Sequence, residues 1–440
     1  MRPGLLAAAF CAVCATGVLA QQTPPAAKGF VPSDELNKEL PRWLRFSGEY
    51  RARVEGVTGA GFKPNAEDAY LLSRLRLNMK ILPTPWLLFN FQEQDARVFW
   101  KNQTPAAPPY QNTFDLRVAY VELGDSEKKS VGVRVGRQEL AFGEQRLVGS
   151  ANWLNTGRTF DAVRATFHRG NYRLDAFASS VVNTKDGEWD HHQQGNNFHG
   201  IYGGIEKLIP NAVIEPYAFW RTAPRQATES KTLGSLDSKT FGARVAGKLP
   251  YSFDYSVEMA RQLGVIGTDD IQAWAGHWLA GYTATQIKKK PRFFAEYNYA
   301  SGDANPTDKQ RGTFDQLYPT GHDKWGLADQ VGWRNIHDAR VGGEVKPNAK
   351  LTLTSSYHNW WLASATDALY SASGAAVVRV TSGVDGTHVG QELDAQGAYA
   401  FNKQVQFGMG FGHIFPGEFL KKATPGKSYN FPYFMAGYTF

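Results

Sequence analysis

The chemistry in this chain is carried by arginine. In the first half, Arg45, Arg51, Arg53, Arg74, Arg76, Arg117, Arg134, Arg164 and Arg173 alternate with apolar neighbours. Arg146 and Arg158 fall in a segment between two such stretches. A guanidinium stays charged and presents a planar fork matched to carboxylate or phosphate. Rings of such cations select anions in pores, and a narrow low-dielectric passage focuses their field. The chemistry implied is the binding and passage of anionic solutes. Glu49, Asp115, Glu258, Glu296, Glu392 and Asp394 take the same polar parity and are the expected counter-charges. Most arginines are therefore expected in ion pairs, with a minority left to act on a permeant.

Residues two apart share a face only on a β-strand, and the chain is full of this pattern. Phe46, Gly48, Tyr50, Ala52 and Val54 oppose Arg45, Ser47, Glu49, Arg51, Arg53 and Glu55. Leu75, Leu77, Met79 and Ile81 oppose Arg74, Arg76, Asn78 and Lys80, and Phe114, Leu116, Val118 and Tyr120 oppose Asp115 and Arg117. The same reading places strands near 43–56, 69–82, 86–98, 113–124, 130–138, 159–168, 171–183, 199–208, 212–222, 238–249, 251–264, 271–284, 290–301, 335–345, 349–361, 387–401, 404–413 and 430–440. Each is about ten residues, the length a tilted strand needs to cross a bilayer's hydrocarbon. Short connections with turn chemistry, such as Pro83-Thr84-Pro85 and Lys346-Pro347-Asn348, separate long ones at 99–112, 139–158, 184–198, 223–237, 302–334, 362–386 and 414–429. Short turns on one side and long loops on the other predict an all-β fold: an antiparallel transmembrane β-barrel of about eighteen strands, with short periplasmic turns and long extracellular loops. A barrel of that size has room for an aqueous channel. The loop at 139–158 and the longer one at 302–334 are both candidates to fold inward. The segment 271–284, with Trp274, Trp278 and Tyr282 four apart, also fits a helix.

The chain ends on Asn-Phe-Pro-Tyr-Phe-Met-Ala-Gly-Tyr-Thr-Phe, residues 430–440, with Phe434, Ala436, Tyr438 and Phe440 on one face. An uncapped terminal strand exposes a pairing edge, which closure against the first strand removes. The ending also resembles the terminal assembly signal of bacterial outer-membrane proteins, which implies the barrel-assembly machinery as a partner. At the other end, a basic start, an apolar run from Leu5 to Leu19 and a small-residue site before Gln21 read as a cleaved signal peptide over 1–20. A Pro- and Ala-rich periplasmic tail follows over 21–42, then the barrel over 43–440. Both cysteines, Cys11 and Cys14, lie in the signal, so the mature chain has neither disulfide nor thiolate chemistry. The reading is export to the outer membrane of a Gram-negative cell, with outer-membrane lipid and lipopolysaccharide around the wall. The net charge of +7 then points to acidic solutes and not to nucleic acid, which an exported chain does not meet.

Other chemistry is weaker. Asp186, Glu188, Asp190, His191 and His192 share one segment, and Asp303, Asp308, Asp315, Asp323 and Asp329 another. Neither carries the spaced ligand ladder of a calcium loop, so no cofactor or metal is expected, with calcium in an outer loop left open. Ser355, Ser356, His358 and Asn359 lie close on one strand, where adjacent residues point to opposite faces, and they do not form a triad by spacing. No enzyme activity is expected. A plugged receptor would need an N-terminal domain, for which the residues before the first strand are too few.

Val135-Gly136-Arg137-Gln138-Glu139-Leu140, Gly390-Gln391-Glu392-Leu393-Asp394, Ser301-Gly302-Asp303 and Leu317-Tyr318-Pro319-Thr320-Gly321-His322 together resemble the alginate-export outer-membrane porins. The resemblance implies an eighteen-stranded barrel whose electropositive pore passes an anionic uronate polymer outward, with a periplasmic export partner as a further implication. It also implies that Arg137 is a pore arginine. Strict alternation puts Arg137 on the lipid face with Val133 and Val135, so a bulge or the end of the hydrophobic band is required there. The alternative within the same fold is a general porin for small anionic nutrients.

Overall fold

A computed structural model describes residues 31–126, 130–380 and 382–440. The expected signal peptide lies outside the described residues. The elements in order are α1 (Pro32–Glu39), β1 (Leu44–Thr58), β2 (Glu67–Thr84), β3 (Leu87–Phe99), β4 (Asn112–Gly124), β5 (Val131–Gln138), β6 (Phe160–Arg169), β7 (Tyr172–Asn183), β8 (His191–Glu206), β9 (Ala212–Ala227) and β10 (Leu233–Leu249). They continue with β11 (Phe253–Ile266), β12 (Asp269–Thr283), β13 (Arg292–Ala300), β14 (Gln310–Arg311), β15 (Ile336–Asn348), β16 (Leu351–Leu362), β17 (Leu369–Tyr370), β18 (Ala376–Val378), β19 (His388–Ala400), β20 (Val405–Pro416), α2 (Glu418–Ala423) and β21 (Tyr429–Thr439). The short β14, β17 and β18 belong to loops. The other strands form a closed antiparallel barrel of 18 strands, in which β1 pairs with β2 on one side and with β21 on the other.

Closure follows from the alternation. Val54 stands opposite Leu71 and Phe434 on the outer face, while Arg53 stands opposite Leu72 and Met435 on the inner one. Val54, Leu77, Phe241, Met259 and Phe434 are 41–50% exposed, whereas Arg53 is 2% exposed. This is a soluble protein turned inside out, with apolar side chains outward and ionised ones inward. Such a wall is stable only against hydrocarbon. No described helix is long and apolar enough to cross a membrane; the strands do the crossing.

Short turns at 85–86, 170–171, 250–252 and 349–350 occupy the rim that carries α1 and Phe440. The long connections at 100–111, 139–159, 301–335 and 363–387 occupy the other. Two of these fold into the lumen and join there: Tyr318 donates its N–H to Leu147 O at 2.8 Å, and Gly149 donates to Tyr318 O at 2.8 Å. Phe142 stacks on Tyr202 and Phe177 of the inner wall, with centroids 4.8 and 5.5 Å apart. Phe314, Trp325 and Trp333 are fully buried. The extracellular half of the interior is thus a packed core, at about 1.5–3 kcal/mol for each large side chain buried.

The observed strands differ from the predicted ones mainly where they leave the bilayer. β8 begins at His191 instead of 199, and the predicted 223–237 loop is mostly strand, since β9 runs to Ala227 and β10 starts at Leu233. Above the hydrocarbon both faces meet water, so the apolar alternation that marks a strand disappears while the pairing continues. The segment 269–283 is a strand, not a helix. A register shift between β3 and β4 at Gln92/Glu93 leaves Arg117 as an extra residue. Beyond it, Val118 and Tyr120 turn inward, although alternation alone put them on the lipid face. The helix α1 was not foreseen. Its Asn37 caps the edge of β1 below the end of β21, donating to Phe46 O at 2.7 Å and accepting from Phe46 N–H at 2.9 Å.

The inverted wall sets an expectation for charge placement. Phe434→Arg, on the outer face of β21, should cost about 2–4 kcal/mol of folding free energy in lipid vesicles. Thr354→Arg, on the inner face of β16 opposite Glu344, should cost less than about 1 kcal/mol. Urea unfolding followed by tryptophan fluorescence measures both, and equal losses would contradict the assignment of faces.

Candidate functional site

The lumenal arginines of β1, β2 and β4 converge on the tip of the inward loop 139–159. Arg51 and Arg74 are directly opposite each other, a like-charge pair that is destabilising unless neutralised. The loop supplies the neutralisation as carbonyl oxygens. Arg51 donates to Asn152 O at 2.8 Å and Trp153 O at 3.0 Å, Arg53 to Trp153 O at 2.7 Å, and Arg74 to Asn152 O at 2.9 Å. Arg76 donates to Gln94 Oε1 at 2.7 Å and to Asn152 Oδ1 at 2.9 Å. Arg117, set by the β4 bulge, bonds Gln92 and Glu139. Asn155 is held in turn, its amide donating to Ser73 O, Arg97 O and Tyr110 O.

Carboxylates share the load but do not balance it. Glu49 pairs with Arg74 and Arg76, Glu55 with Arg53 at 2.6 Å, and Glu139 with Arg117. Five guanidiniums therefore have three ion-pair partners in this patch. Arg76 Nη2 and Arg117 Nε have no hydrogen-bond partner among the described residues. Both guanidiniums close on Gly157, whose φ is +71 and where a Cβ would stand 2.9 Å from Arg117 Nη2 and 3.0 Å from Arg76 Nη2. The left-handed backbone there favours glycine, and a side chain would crowd both guanidiniums. Arg53 also lies over the Trp153 ring at 3.7 Å, and Trp153 stacks on His322 at 3.6 Å. His322 bonds Asp329 at 2.9 Å, so this arginine, one inward loop and the second inward loop form one stack.

The remaining predicted arginines occupy other surroundings. Arg146 lies on the same inward loop, where it pairs with Glu144 at 3.1 Å, and it reaches across to Glu296 of β13 at 2.9 Å. Burial acts to raise the Glu144 carboxyl, but Arg146, His277 and Arg244 outweigh it and hold the group well below its ordinary range. Arg158 donates to Gly149 O and Pro319 O, joining the two inward loops. Arg164 pairs with Asp175 at 2.8 Å and Arg134 with Glu122 at 2.7 Å. Arg137 stands apart from all of these. It is opposite Ala119 and Asp161, on the face of the exposed Val135 and Val163, and it pairs with Asp161 at 2.8 Å. The bulge is on β4 and not on β5, so Arg137 faces outward at the extracellular end of its strand, where strict alternation put it, and not into the pore as the resemblance implied.

Among the acids expected as counter-charges, Glu49 and Glu296 pair with arginines. Asp115, Glu392 and Asp394 form no ion pair with an arginine among the described residues. Asp115 accepts the N–H of Asp190 at 3.1 Å, and Glu392 accepts the N–H of Ala328 at 2.8 Å. Asp394 accepts from Ser356 at 3.3 Å. Glu392 therefore grips the second inward loop by an amide, as the arginines grip the first by carbonyls. His358 bonds Asp338 at 2.9 Å, while Ser356 bonds Arg340 and Asp394. In the outer loop, Asp186 accepts from Gln111 and Thr113, and Asp190 from Asn112. Among the described residues no group of three or more His, Asp or Glu side chains is disposed to hold a metal ion.

Sequence reasoning missed the carbonyls of Asn152, Trp153 and Leu154, which carry no side-chain signature. It also passed over Arg244, which bonds Glu144 and Glu215. Its alternation with Ala243 and Val245 was a readable signal.

Changing Arg51 and Arg74 together to glutamine should release the loop tip, since hydrogen bonds to charged groups contribute about 1.5–3 kcal/mol each. Amide hydrogen exchange across residues 150–156 should accelerate by about tenfold or more. Arg134→Gln should leave that segment unchanged, and protection as high as in the unaltered protein would rule out the arginine clamp.

Known proteins place this architecture. The chain resembles OccK11 (OpdR) of Pseudomonas aeruginosa at 10% identity and TM-score 0.59, over 90% of this chain and 96% of that one. It resembles OpdK of the same organism, solved with vanillate, at 8% identity and TM-score 0.60, over 90% and 98%. OccD3 (OpdP) follows at 12% identity and TM-score 0.56, over 90% and 91%. Identities this low speak to the fold. No curated protein matches the sequence. The sequence profile of the family described as alginate export matches residues 42–434, nearly the whole barrel, and the chain belongs to that family of outer-membrane channels.

Proposed function

We propose that this channel conducts anions, with carboxylate-bearing sugar polymers such as alginate as the substrate class. The observation that carries the reading is the patch on β1, β2 and β4, where five guanidiniums have three carboxylate partners. Arg51, Arg53, Arg74, Arg76 and Arg117 are nearly buried, so they act on a permeant chiefly through their field, which low-dielectric walls concentrate. Arg134, Arg146, Arg158 and Arg164 are each satisfied locally and set the shape of the lumen. Arg137, facing outward, acts at the rim. Glu49, Asp115, Glu392 and Asp394 temper the positive field. Membership of the alginate-export family supports the polyuronate, and a periplasmic export partner belongs with that reading.

A second reading rests on the packing of the inward loops. Phe142, Phe314, Trp325 and Trp333 fill the extracellular half of the lumen, which favours small anions over a polymer. OpdK, one of the similar barrels, was solved with vanillate, a small carboxylate.

Single-channel recording in a planar bilayer under a salt gradient tests both. The reversal potential should carry the anion-selective sign, and Arg76→Gln with Arg117→Gln should reduce the anion preference severalfold. Block by polyuronate but not by a neutral glucan supports the polymer. Anion selectivity without polymer block selects the small-anion channel, and cation selectivity rejects both.

A further inference from the structure

The outer wall across β6 to β9 is hollowed. Ala165, Ala176, Ile201, Ala218 and Phe241 form one cross-strand row on the lipid-facing side, and Val163, Ala178, His199, Trp220 and Lys239 form the next. Four of these positions are alanine, and Gly200 between them exposes the backs of Phe177 and Phe219. The result is an apolar groove of about 570 Å³. The first row continues from Phe241 to Arg261 on β11, so the groove leads to two cations.

Height in the membrane follows from the strands. At about 3.3 Å per residue and about 40° of tilt, Arg261 is about 20 Å above Phe253 at the periplasmic end of β11. Lys239 is about 25 Å above Leu249 on the same reckoning, whereas Ala165 is only about 10 Å above its turn. The groove rises from within the hydrocarbon to the outer headgroup level. Arg261 forms no ion pair with any described residue, although Met259 and Leu263 flank it on the exposed face. Lys239 is 3.8 Å from Asp237, which also accepts Trp220 Nε1–H at 2.9 Å. One net positive charge remains at the mouth. A lipid-facing cation of this kind is completed by an anion that also belongs to the membrane.

We propose that the groove binds an acyl chain of lipopolysaccharide, with a phosphate of its lipid moiety held by Lys239 and Arg261. Lys239 and Arg261 are diagonal neighbours across β10 and β11, a guanidinium and an ammonium that together match a phosphate, and the small residues let the chain lie against the wall. The occupant is an outer-leaflet lipid because the cations stand at the extracellular end of the groove.

The delipidated barrel in neutral detergent, titrated with hexa-acylated bisphosphoryl lipid A and followed by native mass spectrometry, tests this. One lipid A should bind at least about tenfold more tightly than phosphatidylcholine. Lys239→Gln with Arg261→Gln should abolish that preference, Ala178→Phe with Ala218→Phe should weaken binding, and Asp237→Asn should strengthen it. Heat-modifiable gel mobility confirms that each variant folds. Equal binding by all variants, equal binding of phosphatidylcholine, or a dimer that the groove-filling pair abolishes would each overturn the proposal.

Discussion

The interaction on which the interior depends is the capture of main-chain carbonyls by wall arginines. Arg51, Arg53 and Arg74 take hold of Asn152 and Trp153, and the loop takes hold of them. Neither side is stable alone. Opposed guanidiniums on neighbouring strands repel, and a loop folded into a lumen leaves carbonyls without water. Brought together, each removes the other's cost, and the hydrogen bonds are charge-assisted.

The rest of the interior repeats this logic with the signs exchanged. Glu392 accepts an amide from the second inward loop, while Arg158 and the Leu147–Tyr318 pairing hold the two loops to each other. Trp153, in contact with both Arg53 and His322, links a wall strand to both. Much of the charge that sequence alone would assign to a permeant is therefore structural. What remains is an imbalance of charge, since Arg51 has no carboxylate partner among the described residues and Arg74 and Arg76 share Glu49.

The outer face obeys a different constraint. There every polar group must either be paired or stand near headgroups. Arg137 meets this through Asp161, which His192 also contacts at the rim. Lys239 and Arg261 do so by height.

The sequence by itself determined the barrel. Alternation of residues such as Leu75, Leu77 and Met79 against Arg74 and Arg76 is dictated by the pleat, and the pairing of β21 with β1 by closure. The alternation is local, so it can be read along the chain. The polar parity of the arginines was legible for the same reason. Their partners were not. Asn152 and Trp153 lie far from Arg51 in sequence, and a carbonyl has no residue-type signature. The bulge at Arg117, which turned Val118 and Tyr120 inward, depends on how β3 and β4 pair. The upper parts of β8, β9 and β10 were missed because water on both faces erases the pattern. Which charges cancel and which remain was decided only when the loops folded back into the wall, because that balance is a property of neighbours in space.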